Sequence, residues 1–199
     1  MNTNDLIRLF SEKLSLPGDV NELLPVLAQH GSEVDIEFIG VDLDPEILQG
    51  KIKIFYVRDG VYAEPKRMAN IYYHRGHGSD WQRFICCKEL LHLLDPPGAE
   101  TNSMEQIDEL ASKIGLPAYM QDATLDGIAT NIDRLAEFRA AAILLPYAAR
   151  EQLLKPLAEQ KLTLSDIAEM ADIPRKYAGL VMSPGWNYIH QIFVDGSAI

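Results

Sequence analysis

The hydrophobic rhythm of this chain changes once, near residue 80, and that change decides what it can fold into. Upstream, KIKIFYV at 51–57 alternates charged and apolar residues, the period of a half-buried antiparallel strand. VDIEFIGV at 34–41 and MANIYY at 68–73 are its companions, with Gly50, Asp59-Gly60 and Pro65 punctuating the turns. Downstream the period is helical. A helix over 80–94 is closed by DPPG at 95–98, and others follow near 104–114, 122–144 and 147–160, with the rest within 164–182. Two helices come first. Residues 4–14 place Leu6, Leu9, Phe10 and Leu14 along one stripe, and 19–31 opens on Asp19 as cap and stops at Gly31. The expectation is α+β: a small antiparallel sheet packed with a majority of helices. One domain spans 1–199, with a helical C-terminal extension at about 147–199. The tail beyond 182 yields no reading.

Charge narrows the partners. The net charge of −11 repels phosphate backbones and anionic lipid, so general nucleic-acid binding is disfavoured. The start, MNTNDLIRLF, is polar and amphipathic and predicts no secretory leader. The longest apolar run, AAAILL at 140–145, is far short of a bilayer span. Cys86 and Cys87 are adjacent, a poor basis for a disulfide framework. A cytoplasmic protein is expected.

The chemistry gathers in two segments. The first is QRFICCKELLHLLD at 82–95. In an H-E-x-x-H helix, two histidines one turn apart hold zinc, and the glutamate beside the first acts as general base. Here Lys88 stands where the first histidine would be, followed by Glu89 and His92. Lys88 and His92 share one helical face, while Cys86 and Cys87 fall well away from it and read as small buried hydrophobes. By itself an E-x-x-H is also what a Leu-rich helix with a polar side would show. The second segment, DRLAEFRAAAILLP at 133–146, adds Asp133 and Glu137, again one turn apart. A catalytic zinc takes its third ligand from a carboxylate on another helix, and a further acid can orient a metal-bound histidine.

With both lines in view, the chain resembles the ImmA/IrrE family of metallopeptidase-like proteins, whose fold is of the gluzincin, zincin-like type. The family's R-R-F-x-x-A-H-E-L-G-H-L-L aligns with QRFICCKELLHLLD, and its E-x-x-A-[ND]-x-F-A-A-x-L-L-M-P with DRLAEFRAAAILLP. The resemblance extends over about 5–182. It implies Glu89 as the general base, His92 and Asp133 as metal ligands and Glu137 as the orienting acid. The departures are Lys88 for the ligand histidine, Leu91 for a small residue, Asp133 for glutamate and Arg139 for phenylalanine. An ammonium cannot ligate while protonated and repels a cation. With Glu89 and Asp133 beside it, Lys88 is expected to stay charged.

The leading expectation is therefore a peptidase-like pseudoenzyme without a cofactor, a regulator acting through protein contacts. The family's usual company implies a transcriptional regulator as partner. One alternative is an active zinc endopeptidase cleaving such a regulator, with His74 or His77 of the Gly-rich stretch YYHRGHGSD as substitute ligand. The bland reading of those histidines is a loop near the cleft. Another alternative is DNA reading through 163–182, which has helix-turn-helix spacing but balances Lys161, Arg175 and Lys176 with Asp166, Glu169 and Asp172. A helical hairpin packed on the core is its plainer explanation.

Overall fold

A computed structural model describes residues 2–29, 34–42, 50–60, 62–95 and 125–195, over 125–132 by backbone only. The expected stop at Gly31, the helix near 104–114 and the start of the next at 122 lie outside the described residues.

Three strands form one sheet: β1 (Asp35–Val41), β2 (Gly50–Val57) and β3 (Lys66–His74), in the order β1-β3-β2. β2 and β3 pair antiparallel with Ile52 opposite Ile71, while β1 pairs parallel to β3 with Phe38 opposite Ile71. The sheet is mixed, which corrects the antiparallel expectation. The chain reverses twice between β1 and β3, so a third strand placed in the middle must run parallel to the first. Period-two alternation reports which face of a strand is buried and says nothing about its neighbours.

Eight α-helices accompany the sheet among the described residues. α1 (Thr3–Ser11) is closed at its start by a capping box between Asn2 and Asp5. It buries Leu6, Ile7 and Phe10, whereas Leu9 and Leu14, expected on that stripe, are half exposed. After a 3-10 turn begun by Asp19, α2 (Leu23–Gln29) contributes Leu23 and Leu27 to the core. α3 (Ser79–Leu91) lies across the sheet and ends in a 3-10 turn over His92–Leu94. It comes so close to the start of β2 that a Cβ on Gly50 would sit 2.2 Å from Ile85 Cγ2. Only glycine fits there without a shift.

α4 (Leu125–Leu144) packs on α3. Its buried Ala136, Ala140 and Ala141 keep that side thin enough for close approach. α5 (Tyr147–Ala158) follows Pro146 directly. α6 (Leu164–Ala171), with a capping box of Thr163 and Asp166, and α7 (Arg175–Val181) make the hairpin, turned by Asp172 at φ 47°. Two arginines fasten this hairpin. From α3, Arg83 donates to the carbonyls of Ala171 at 2.5 Å, Asp172 at 3.2 Å and Gly18. From α5, the buried Arg150 donates to Val181 O at 2.6 Å and Ser183 O at 3.1 Å. Each guanidinium satisfies carbonyls that a helix end leaves without partners.

The tail is α8 (Trp186–Asp195), docked on α1. Trp186 and Phe193 are buried, Arg8 Nε donates to Val194 O at 2.5 Å, and Ser11 Oγ lies 2.9 Å from His190 Nε2. No described helix is long and apolar enough to cross a membrane.

Candidate functional site

α3 presents Lys88 and Glu89 in its last turn, and His92 opens the 3-10 turn that follows. One helical turn separates Lys88 from His92, so both reach toward the same point on α4. That point is Asp133. Lys88 Nζ donates to Asp133 Oδ1 at 2.7 Å, and His92 Nε2 stands 3.3 Å from the same oxygen. Lys88 Nζ also pairs with Glu89 Oε1 at 3.0 Å. That contact is ionic without being an aligned hydrogen bond, since Glu89 Oε1 is buried and accepts none. On its other side, His92 Nδ1 meets Asp95 Oδ2 at 2.5 Å. Beyond Asp95 the next charge to bear on it is the half-buried guanidinium of Arg139. Signs alternate along the line Glu89, Lys88, Asp133, His92, Asp95, Arg139.

Side-chain exposure is only 12% for Lys88, 4% for Glu89 and 15% for Asp133, so water screens these charges weakly. Burial alone would pull the Lys88 ammonium down, but the charges of Asp133 and Glu89 outweigh it and hold the group above the ordinary lysine range. His92 follows the same logic. Burial opposes its charge, hydrogen bonding to Asp133 and Asp95 favours it, and its pKa rises to about 9. Burial works against the Asp133 carboxylate too, yet Lys88 and His92 push its pKa well below the usual range. The cluster is self-neutralising.

Glu89, His92 and Asp133 each offer a ligand atom, and these atoms lie within 4.8 Å of one another. They are the described residues that could hold a metal ion. The Lys88 ammonium stands among them, against two of the three.

The end of α7 nearest the site contributes Tyr177, buried and stacked on Phe84 with ring centroids 3.7 Å apart. Burial and the nearby charge of Glu137 push the pKa of its hydroxyl up. Glu137 thus faces Tyr177, while the outer nitrogen of His92 faces Asp95. His74 and His77 pack edge to face at 4.9 Å, and His77 stacks on Trp81. Neither is among the clustered ligand atoms. Cys86 and Cys87 are free thiols pushed up to about 12 by burial. Such thiols are inert packing groups.

The structure thus brings Lys88, Glu89, His92 and Asp133 together and leaves Glu137, His74 and His77 outside the contact set. Sequence reasoning missed Asp95, Tyr177 and the place of Arg139 in the line. Asp95 sits three residues after His92, a readable spacing, but within DPPG it registered only as a helix stop. Tyr177 carries no signal at its distance along the chain.

Fold and site together define an α+β protein in which the two longest of the described helices are joined by a buried cluster of alternating charges. No protein-family model matches the chain, and no curated protein matches it significantly.

Proposed function

We propose that this protein is a peptidase-like scaffold that works without a metal and acts by binding another protein. The observation that carries this reading is the Lys88 ammonium, 2.7 Å from Asp133 Oδ1 and 3.0 Å from Glu89 Oε1. A dication entering the Glu89, His92 and Asp133 cluster would have to displace a positive charge from oxygens it needs as ligands. The donor set does not fit zinc while Lys88 is present. Similarity of the two site segments to the ImmA/IrrE family supports the peptidase-like description, and that family's company favours a transcriptional regulator as partner.

A second reading, a zinc endopeptidase, is favoured by the proximity of three ligand atoms within 4.8 Å. Titration with zinc separates the two. Wild type should bind no more than adventitiously, whereas Lys88→His should gain a site and a rise in Tm with zinc concentration. Stoichiometric zinc on wild type, with hydrolysis of a regulator, would establish the enzyme instead. DNA reading has less support. Tyr177 and Ala178, early in α7, are buried against the rest of the molecule, and the Lys176 ammonium lies over the rings of Trp81 and Tyr177. Those positions are the ones a recognition helix would turn to the groove.

A further inference from the structure

The sheet has two unlike faces. Ile52, Ala69 and Ile71 point inward and are buried, with Ile36, Phe38 and Ile54 leaning on the same core. The alternate residues point the other way, and none of them is buried. Down the middle of that outer face, β3 sets Met68, Asn70 and Tyr72 in a row, with Asn70 Nδ2 donating to the Tyr72 hydroxyl at 3.2 Å. Phe55 of β2 lies opposite Met68, and Ile39 of β1 lies opposite Tyr72. The two edges carry opposite charge. β1 offers Asp35 and Glu37, and β2 offers Lys51 and Lys53. None of the four makes an ion pair with another described residue.

The register explains why they stay apart. Glu37 and Lys53 both oppose Asn70, one on each side. They are separated by two strand spacings, about 10 Å, too far to pair within one chain. A rotation of 180° about an axis above β3 and parallel to it lays β1 of one chain over β2 of another. Glu37 then meets Lys53, Lys53 meets Glu37, and Tyr72 meets Tyr72. An axis at right angles, running across the strands, would instead set acid on acid and base on base.

We propose that the outer face of this sheet is a self-complementary surface on which a second copy of the chain docks, β1 over β2 about an axis along β3. The row of Met68, Phe55, Tyr72 and Ile39 supplies the apolar contact, and the two charged edges fix the orientation. Single-stranded nucleic acid is the competing occupant, because Lys51 and Lys53 flank Phe55 and Tyr72. It is disfavoured by the acidic β1 edge and the net charge of −11. The face measures roughly 14 by 23 Å, or about 320 Å² on each partner, below the size of stable specific interfaces, which makes the dimer weak and reversible.

Sedimentation of the full chain across the micromolar range tests this. At low salt the mass should rise with concentration from 22.3 kDa toward twice that value, and added salt should reverse it. Lys51→Glu with Lys53→Glu should remain monomeric, and so should Asp35→Lys with Glu37→Lys. An equimolar mixture of the two should associate again, because each restores the other's missing sign. Lys53→Glu and Glu37→Lys alone, both at exposed positions, repeat the test if a double variant misfolds. A chain monomeric throughout overturns the proposal, as does a dimer indifferent to both reversals or a mixture that fails to associate. Single-stranded oligonucleotide binding lost in the lysine reversals, without dimerisation, would overturn it in favour of nucleic acid.

Discussion

Lys88 shows how one residue changes the meaning of a site. Its ammonium holds the carboxylates of Glu89 and Asp133 together across two helices, at 3.0 and 2.7 Å. Removing one member of a buried ionic set leaves the others uncompensated, which costs roughly 3 kcal/mol, or about 6–12 °C in Tm for a domain of this size. Lys88→Met should show that loss at pH 7. As pH falls through the carboxylate range the acids cease to repel and the gap should close. Denaturation midpoints for both proteins from about pH 4 to about pH 8 measure it. Equal midpoints at pH 7 would make Lys88 a bystander. The contact between Lys88, His92 and Asp133 was readable because helical spacing puts the first two on one face, and an acid on a later helix was there to meet them. Asp95 was not, because a residue that terminates a helix and a residue that holds a histidine look alike in sequence.

At the scale of elements, the hairpin of α6 and α7 hangs on Arg83. Its guanidinium spans the carbonyls of Ala171, Asp172 and Gly18, so it ties the end of α6 to both α3 and the segment before α2. Arg83→Met leaves those part-buried carbonyls without donors, at about 1–3 kcal/mol apiece if no water replaces them. Arg83→Lys should restore little, since a single ammonium lacks the fork that reaches several carbonyls at once. Amide exchange over 164–181 is the readout: protection should fall in both variants while β2 and β3 keep theirs. Uniform loss across the chain would place the role of Arg83 in global folding instead. The elements themselves were mostly legible. The two strands of KIKIFYV and MANIYY and the helix before Pro146 follow directly from periodicity. The pairing of β1 was not, because a parallel and an antiparallel neighbour bury the same alternate residues. α8 was missed although Trp186, Ile189 and Phe193 recur at helical spacing on one side. A single apolar stripe near a chain end gives no hint of what it packs on.

For the whole molecule, the charge line fixes how stability varies with pH. The His92 pKa is raised from 6.5 to about 9 on folding, so its contribution is complete below about pH 6.5 and is lost as pH climbs through 9. Its size is on the order of 3 kcal/mol, taking 1.4 kcal/mol for each pH unit. Asp133 acts in the opposite sense: its pKa is lowered from 3.8, so its contribution holds above that value and fades in acid. Stability should therefore be greatest between the two limits and decline from near neutrality toward pH 9. In His92→Gln the alkaline decline should vanish while the acid limb persists. An unchanged alkaline limb would assign the decline to other groups.

The docking of α8 on α1 has a consequence for how the chain comes into being. Arg8 and Val194, joined by a hydrogen bond, are 186 residues apart. At ordinary rates of synthesis, roughly 10 to 40 s pass between the emergence of the first and of the second. During that interval the newborn α1 lacks one of its native neighbours, and the apolar side that α8 will cover faces either water or a chaperone. Closure of this part of the fold is thus postponed until the segment carrying Val194 has left the ribosome.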